Sequence, residues 1–565
     1  MEGRVLITAA SAFAASLLAA ADPYVGYIYP SGVQVGATNR LVIGGQNLAR
    51  IAGVHFSRGG LRVLKIEKVP IFLPPTGSQR RHLTKWLDRI AAGVRQEPPL
   101  PDDPHVEEWR SNSWWRALGS LDAGQIAIVE RDLYVPPNAL QSSPSIRQML
   151  LVTVAAEPDA APGRGELCVY GPGGMSAPRP FSTTAAPHVA EPLFAPPHRP
   201  APERPPVEVG AGGAVVLDGQ AMPGETDVFR LRLGGGRRYT FRTTARELQP
   251  YVGDAVPGFF NAALALRSGS GAIVARADDE CRFRPDPVME FTPPERGVYR
   301  LEIHDVLYRG RADFVYSILV TEGDAAPVPC PQNVDGIVAN PGEVCRKEIE
   351  VERPGRLVLD VAARRLGSPL DAVLTLRRTP DGPALAQWDD VTNTVFVGTV
   401  PQAEYDPIGV FDFAESGRYV AEISDRTGHG GPGYFWRLDV HPPRPGFEVY
   451  STRSTLPLAR KTPLKVKFHV VRRDGFDGAV SLEFPEEARV VGGVATAGVD
   501  VVTAQLFSQL PRKGGVPQPR PVEVFASAEI DGRTVRVPVL PCDEYEQAFA
   551  WKHLVPAESF LLMTR

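Results

Sequence analysis

Two stretches of this chain carry nearly the same sequence and decide its fold: residues 297–305 read GVYRLEIHD and residues 417–425 read GRYVAEISD. They lie within the windows 286–320 and 406–440, which align without a gap. Random pairing at average residue usage would give about two or three identities over that length. The windows instead share Asp286/Asp406, Pro287/Pro407, Phe291/Phe411, Glu295/Glu415, Gly297/Gly417, Tyr299/Tyr419, Glu302/Glu422, Ile303/Ile423, Asp305/Asp425, Gly310/Gly430 and Val320/Val440. A repeat of this size is a whole domain, because solenoid units are only about 20–50 residues long.

The two copies also match before these windows, where residues 223–248 align with residues 341–366. A short insert in the first copy at 250–259 interrupts the alignment, which then resumes. Residues 228–233 (VFRLRL) alternate apolar and polar side chains, which is the period of a half-buried strand. Duplicated β modules favour scaffolding or recognition and argue against a single catalytic centre.

Several short motifs recur in the same order in both copies. The second copy carries GSPLDA at 367–372, Asp389-Asp390, GRY at 417–419, Asp425 and WRLDV at 436–440. The first copy carries Asn261 in place of Asp371, then Asp278-Asp279, GVY at 297–299 and Tyr316. These motifs resemble the bacterial pre-peptidase C-terminal (PPC) domain over residues 206–441. The resemblance implies a β-sandwich accessory module of secreted proteins, often peptidases, which in some members takes part in substrate binding or is removed on maturation.

Residues 22–186 predict an immunoglobulin-like β sandwich with a helical insert at 76–119. Short β-branched or apolar runs between turn residues predict strands at 41–43, 63–66, 125–129 and 149–154. A second family resemblance rests on Tyr29-Pro30, the turn GGQNL at 44–48, the hairpin segments 162–167 and 171–174, and Phe181. These residues resemble the IPT/TIG family of immunoglobulin-like domains, and the resemblance implies the sandwich fold.

The insert combines a helical pattern with a cluster of tryptophans. Apolar residues at i, i+3 and i+4 spacing predict a helix through Leu83, Trp86, Leu87, Ile90 and Val94. Trp109, Trp114 and Trp115 follow within seven positions. They could form a stacking surface for sugar or peptide, or they could pack the insert onto the sandwich, which is the commoner use of large aromatic side chains.

The rest of the chain predicts further β domains. Eight prolines between 187 and 206 predict a semi-rigid polyproline II spacer at 187–205. PPC-like modules are predicted at 206–322 and 331–441, an immunoglobulin-like β sandwich at 445–541 and a C-terminal tail at 542–565. Apolar and aromatic residues between 544 and 554 predict that the tail docks as a short helix. The fold class is therefore all-β, with tandem immunoglobulin-like and jelly-roll-like sandwiches and a short helical insert in the first domain.

The N-terminus predicts export. Residues 1–21 have a basic start, an apolar run at 5–18 and a small-residue cleavage pattern before Asp22, as in a secretory signal peptide. No later stretch is apolar enough to cross a membrane, so we expect a secreted, periplasmic or cell-envelope protein without an integral membrane segment. The formal net charge of −4 offers no basic face for nucleic acid.

The five cysteines, Cys168, Cys281, Cys330, Cys345 and Cys542, have no metal-ligand spacing. Cys330 and Cys345 are close enough in sequence for a disulfide that closes a loop of about 15 residues. The alternative, which the sequence supports equally well, is that all five cysteines are independent thiols. Because their number is odd, at least one cysteine must be free.

Catalytic motifs are missing from the sequence: it contains no GxSxG elbow, HExxH helix or P-loop. The fragment GHG at 428–430 resembles the histidine motif of subtilisin-like peptidases, but His429 aligns with Arg309 in a loop and no serine motif accompanies it. No catalytic, cofactor or metal residue is therefore predicted.

Acidic residues at predicted strand ends and turns leave calcium as an open question. Asp278-Asp279 and Asp389-Asp390 lie between strands, and Asp305 and Asp425 follow the tyrosine strand. Such carboxylates could coordinate Ca²⁺, or they could fix the turns by accepting hydrogen bonds from nearby backbone.

The sequence therefore predicts an exported, non-enzymatic modular β protein for recognition or scaffolding. Its expected partner is a protein or a polysaccharide of the cell envelope or extracellular space, and its oligomeric state is open. An accessory protein of a secreted peptidase is one alternative. A hydrolase with an unrecognised site is another, and it predicts a deep pocket with converging titratable groups whose pKa values are strongly shifted.

Overall fold

The computed structural model describes residues 22–69, 77–99, 115, 118–134, 148–191, 194–199, 204–210, 212–249, 258–278, 286–323, 333–390, 406–510, 514–547 and 551–565. These residues form an all-β chain of successive β sandwiches with one short helical insert, so the predicted fold class is confirmed. Within these ranges, neither α-helix has the length and apolar character that a membrane span needs.

The first sandwich surrounds a core that includes Leu41, Ile43, Val152 and Val169. Its strands are β1 (Tyr24–Tyr29), β2 (Gly32–Gln34), β3 (Thr38–Gln46), β4 (Gly53–Phe56), β5 (Leu61–Val69), β6 (Gln148–Ala156), β7 (Gly163–Gly171), β8 (Gly174–Met175) and β9 (Arg179–Thr184). One sheet has the order β1-β3-β6-β5, and the other has the order β2-β9-β7-β4 with β8 paired to β7.

The helical insert has its own small core. It contains α1 (Gly77–Ala91), a 3₁₀ turn (Leu118–Ser120) and α2 (Ala123–Tyr134). The rings of Trp86 and Trp115 are buried together, 4.6 Å apart between centroids. Trp115 therefore packs inside the insert itself: it is neither part of an exposed stacking surface nor packed onto the sandwich. Trp109 and Trp114 lie outside the described residues.

The strand predicted at 125–129 is wrong, because these residues belong to α2. Ile126, Val129 and Leu133 are buried at i, i+3 and i+7, so one helical face packs into the insert core. A short apolar run does not by itself distinguish a strand from a buried helical segment.

The first module consists of β10 (His188–Ala190), β11 (Val207–Glu208), β12 (Ala214–Gln220), β13 (Asp227–Leu233), β14 (Tyr239–Thr244), β15 (Ala262–Arg267), β16 (Ile273–Ala277), β17 (Val288–Phe291), β18 (Gly297–Asp305) and β19 (Val315–Glu322). Its sheets have the orders β10-β12-β19-β14-β17 and β11-β13-β18-β15-β16. The edge strands β10 and β11 both pair in parallel with their neighbours.

The second module consists of β20 (Gly336–Ile337), β21 (Val344–Val351), β22 (Gly355–Ala362), β23 (Ala372–Arg377), β24 (Ala384–Trp388), β25 (Ile408–Phe413), β26 (Gly417–Asp425) and β27 (Phe435–His441). Its sheets, β20-β27-β22-β25 and β21-β26-β23-β24, repeat the order of the first module without the two added edge strands. The sequence repeat is thus also a structural repeat.

The proline-rich segment is packed along much of its described length. It begins as β10, which joins a sheet of the first module. Further along, Phe194 stacks on Tyr134 of α2, and His198 contacts Asp88 of α1 at 2.8 Å. The segment therefore connects the first module to the helical insert, and it is more than a spacer.

The last sandwich has three sheets, β28-β30-β34-β32, β33-β31-β36-β37 and β29-β40-β35, together with the hairpin β38-β39. Its strands are β28 (Gly446–Ser451), β29 (Thr455–Leu458), β30 (Leu464–Arg473), β31 (Val480–Glu483), β32 (Ala488–Gly492), β33 (Val494–Ala495), β34 (Val501–Ser508), β35 (Arg520–Val522), β36 (Phe525–Ile530), β37 (Arg533–Pro538), β38 (Cys542–Gln547), β39 (Trp551–Pro556) and β40 (Phe560–Thr564). The predicted helix in the tail is wrong, because β38 and β39 form an antiparallel hairpin there.

Candidate functional site

The first acidic residue that the modules share fixes a turn. Asp286 accepts hydrogen bonds from the backbone amides of Ala245 and Arg246, both at 2.8 Å. Asp406 accepts three such bonds, at 2.7–3.1 Å, from the equivalent turn of the second module. Both carboxylates thereby pair amides at the start of a 3₁₀ turn that would otherwise be unsatisfied.

The second shared acidic residue also organises backbone. Asp305 accepts from the amides of Leu307 and Arg309, and Asp425 accepts from those of Thr427 and His429. The turn interpretation of these two residues is therefore confirmed. His429 and Arg309 occupy equivalent loop positions, as the alignment predicts.

One acidic cluster has the spacing of metal ligands. Asp371, Asp389 and Asp390 each place an oxygen within 4.8 Å of the others. Arg426 Nη1 lies 2.6 Å from Asp389 and 3.5 Å from Asp390, so a guanidinium already neutralises part of this charge. In the first module, Asn261 stands in place of Asp371 and Asp279 lies outside the described residues. Calcium binding stays a hypothesis here.

Of the two alternatives for Cys345, a disulfide with Cys330 or an independent thiol, the structure has the thiol, and its Sγ lies 3.2 Å from the carbonyl oxygen of Ile337. Cys168 and Cys542 are also free and buried. Cys281 and Cys330 lie outside the described residues.

A pocket of about 250 Å³ lies where the first sandwich, α2 and the first module meet, and we call it the junction pocket. Tyr27, Tyr29, Val42 and Leu151 line it from the outer face of the first sheet. The other walls come from α2, with Ala127, Ile128 and Arg131, and from the following chain, with Glu191, Phe194 and Gln220. The lining is mostly apolar and aromatic, with a few polar groups, as is usual in ligand sites.

A second, more open and more polar depression continues from this pocket. We call it the insert groove; it includes Thr38, Lys65, Glu67 and Thr153 of the same sheet. The two depressions share Arg40, Asp122 and Gln125. Arg40 forms ion pairs with Asp122 and, at 3.0 Å, with Glu67.

Three titratable groups converge behind the junction pocket. Tyr316 donates to Asp227 Oδ2 at 2.6 Å, and Glu191 Oε2 accepts from the backbone amide of Gln220 at 3.2 Å. Burial, together with the neighbouring Glu225, raises the pKa of Asp227 from 3.8 to about 7. Burial and the charge of Asp227 raise the pKa of Glu191 well above its usual range. Two desolvated carboxyls this close favour holding a proton between them.

The second module lacks this acidic group. Asp227 pairs with Ile303 across the ladder, and Cys345 pairs with the equivalent Ile423. Trp436 likewise takes the place of Tyr316, and both rings pack over a glycine of the adjoining strand. The polar cluster therefore belongs to the copy that borders the pocket.

A hydrogen-bonded chain joins the first sandwich to the first module beside the pocket. His188 Nδ1 lies 2.6 Å from Asp218, and its Nε2 lies 3.0 Å from Thr184 Oγ1. Ser317 donates to Asp218 at 2.5 Å and lies 3.0 Å from Ser31 of the first sandwich.

The order Thr184, His188, Asp218 is that of a catalytic triad, but the hydrogen bonding does not suit nucleophilic catalysis. The Thr184 hydroxyl donates to the carbonyl of Ala186 at 2.9 Å, so its one proton is already committed. The Nε2 of His188 must then donate to Thr184 rather than accept from it, and it cannot act as a base towards that hydroxyl. The arrangement fits a structural link between domains.

Sequence reasoning missed Glu191, Asp227, Arg131 and His188, because a pocket between domains leaves no local motif. One signal was available: at the position of Asp227 the otherwise similar second copy has Cys345. Such a polar difference between duplicated modules indicates where one copy has a different environment.

No protein-family model matches the chain, and no curated protein matches it. A solved structure described as the structural basis for Dscam isoform specificity is 8% identical with a TM-score of 0.12, over 75% of this chain and 86% of that one. A crystal structure of a Salmonella alpha-2-macroglobulin mutant is 9% identical with a TM-score of 0.13, over 90% of this chain and 32% of that one. Likenesses this low carry no argument about fold or function.

Proposed function

We propose that this chain is an exported, non-catalytic recognition protein that binds a protein or polysaccharide of the cell envelope or extracellular space. The observation that carries the proposal is the junction pocket and its continuation as the insert groove. An apolar pocket that opens into a polar groove suits a ligand that places one apolar group in the pocket and an extended polar portion in the groove.

The build of the modules supports a binding role. Asp286 and Asp305 hold backbone turns of the first module, which borders the junction, and Asp406 and Asp425 hold the equivalent turns of the second module. Rigid sandwiches that present a site at a domain border are a common architecture for recognition. The resemblances to PPC and IPT/TIG domains fit the same role and stay part of this proposal.

Capture of the partner by the mature protein, from envelope and secreted fractions of the producing cell, tests the proposal. Ile128→Trp would fill the junction pocket and should abolish capture, because Ile128 lines the pocket from α2. Val274→Trp, on an exposed face of the first module, is the matched control and should keep it. Equal capture by both variants would overturn the assignment of the site. Recovery of a secreted peptidase as the pocket-dependent partner would identify an accessory role.

A hydrolase is the second candidate, and the Glu191 and Asp227 pair favours it. Burial raises the pKa of both carboxyls, and a carboxyl with a raised pKa can act as a general acid near neutral pH. Assays with casein and chromogenic glycosides between pH 5 and 8 decide between the candidates. Hydrolysis by the wild type that is lost in Glu191→Gln would establish the hydrolase and overturn the non-catalytic proposal.

A further inference from the structure

We propose that the junction pocket binds an apolar group of about the size of one aromatic ring that carries a carboxylate, and that Arg131 binds this carboxylate. The inference rests on the proposed function, because it names the chemistry of the ligand group that enters the same pocket.

The size and the lining of the pocket indicate the size and shape of the apolar part of the ligand. Ligand sites typically measure about 300–1,000 Å³, so a pocket of about 250 Å³ takes one compact group rather than a whole oligomer. Tyr29 and Phe194 face this space together with Val42 and Leu151. Aromatic and branched side chains of this kind favour a planar or branched apolar group.

Arg131 indicates that the polar part of the ligand is a carboxylate. It lines the pocket from α2, and its Nε is buried with no hydrogen-bond acceptor among the residues that the structure describes. Arg131 forms no direct ion pair among the described residues, and its charge acts on Glu191, Glu225 and Asp227, where it partly offsets the rise in pKa that burial causes. A buried guanidinium donor without an acceptor is unfavourable, and an anionic ligand would satisfy it with a charge-assisted hydrogen bond.

The other charged groups of the pocket already have partners. Arg40 is neutralised by Asp122 and Glu67. Glu191 accepts a hydrogen bond from Gln220, and burial together with Asp227 raises its pKa, which favours the uncharged form. Because Glu191 and Asp227 share a proton, they repel an incoming carboxylate less than two ionised carboxylates would, whereas the positive charge of Arg131 repels a cation. The charges therefore favour an anion over an amine.

Three probes of nearly equal shape test the charge preference: phenylacetate, phenylacetamide and benzylamine, titrated by calorimetry into the mature protein. We expect phenylacetate to bind at least about tenfold more tightly than the amide, as expected for one charge-assisted hydrogen bond. Arg131→Met should remove this preference. Arg89→Met, an exposed arginine of α1, is the matched control and should retain it. Thermal melts of both variants check that they fold.

The outcomes separate the inference from the function on which it rests. Equal binding of acid and amide, tighter binding of benzylamine, an unchanged preference in Arg131→Met, or no binding of phenylacetate up to its solubility limit would each overturn the inference. If Ile128→Trp still abolishes partner capture in any of these cases, the proposed recognition site stands. If Ile128→Trp leaves partner capture unchanged, the proposed function fails as well.

Discussion

His188 is held at both ring nitrogens, and its position explains why the start of the proline-rich segment is ordered. It lies between Thr184 at the end of the first sandwich and Asp218 in the first module, and both His188 and Asp218 are largely buried. His188→Ala removes the 2.6 Å hydrogen bond between His188 and the buried Asp218 carboxylate, and removing one partner of a buried pair typically costs about 3–5 kcal/mol. We expect a loss near the lower end of this range in urea unfolding, since Ser317 still donates to Asp218.

His198→Ala is the matched control for this prediction. His198 pairs with Asp88 on the surface, where both side chains are about 40% exposed, so its removal should cost less than about 1 kcal/mol. Faster proteolysis within 187–206 should accompany His188→Ala only. Equal effects of the two variants would contradict the role assigned to His188.

Asp227 makes the stability of the first module depend on pH. Because burial raises its pKa to about 7, the folded protein retains a proton that the unfolded chain releases near its ordinary pKa of 3.8. The folded state therefore binds more protons between these two values, and the free energy of unfolding falls as the pH rises through that window. Each pKa unit corresponds to about 1.4 kcal/mol, and proton sharing with Glu191 makes about 4 kcal/mol an upper limit.

Asp227→Asn should therefore flatten the decrease in stability between pH 5 and pH 8, because the amide cannot ionise and its oxygen can still accept from Tyr316. Urea unfolding at the two pH values measures this. Asp412→Asn is the control, because Asp412 is fully exposed and its hydrogen bond from Arg356 lowers its pKa. An Asp227→Asn variant with the wild-type pH profile would show that other groups dominate.

At the scale of elements, alternation predicted strands well wherever one face is solvated. The alternating run at 228–233 is part of β13. The prediction of a strand from a short apolar run failed where distant segments of the same insert decide the structure. Residues 125–129 became helical because Trp86 and Trp115 provide a core for one face of α2, and that core is assembled from distant segments.

The acidic loop after β24 is expected not to require calcium. Arg426 already lies beside Asp389 and Asp390, and Ca²⁺ needs six to eight oxygen ligands, for which it would have to displace this guanidinium. We expect the melting temperature of the wild type to be the same in EDTA and in calcium chloride. A rise in calcium would contradict this, because a ligand that binds the native state stabilises it. Arg426→Gln leaves three carboxylates without the guanidinium, and this variant should be the one that calcium stabilises.

At the scale of the whole molecule, the repeat predicts the architecture better than it predicts the site. Identities such as Asp286/Asp406 are explained by the same turn in both modules, so they indicate a shared fold rather than a shared binding site. The junction pocket depends on Tyr29, Arg131 and Glu191, which come from three separate parts of the chain. Their proximity follows from how domains pack, and no local pattern of residues encodes it.

Strand β40 of the last sandwich also contacts the first sandwich, because its side chains point alternately into two different hydrophobic cores. Phe560 and Leu562 pack within the last sandwich, whereas Leu561 and Met563 pack against Cys168 and other residues of the first sandwich. Because alternate side chains of β40 face different cores, Phe560 and Leu562 contribute to the stability of the last sandwich, whereas Leu561 and Met563 contribute to its contact with the first. Arg453 and Asp22 add an ion pair of 2.7 Å across the same contact.

Leu561→Ser combined with Met563→Ser should therefore open this contact and leave the last sandwich folded. Each substitution removes about 2 kcal/mol of apolar burial from the contact, because both side chains are at least 96% buried. Small-angle X-ray scattering should show a larger radius of gyration, while calorimetry still shows unfolding of the last sandwich. Phe560→Ala should instead destabilise that sandwich itself by about 3–5 kcal/mol. An unchanged radius of gyration in the double variant would mean that polar contacts such as Arg453 with Asp22 suffice to hold the two domains together.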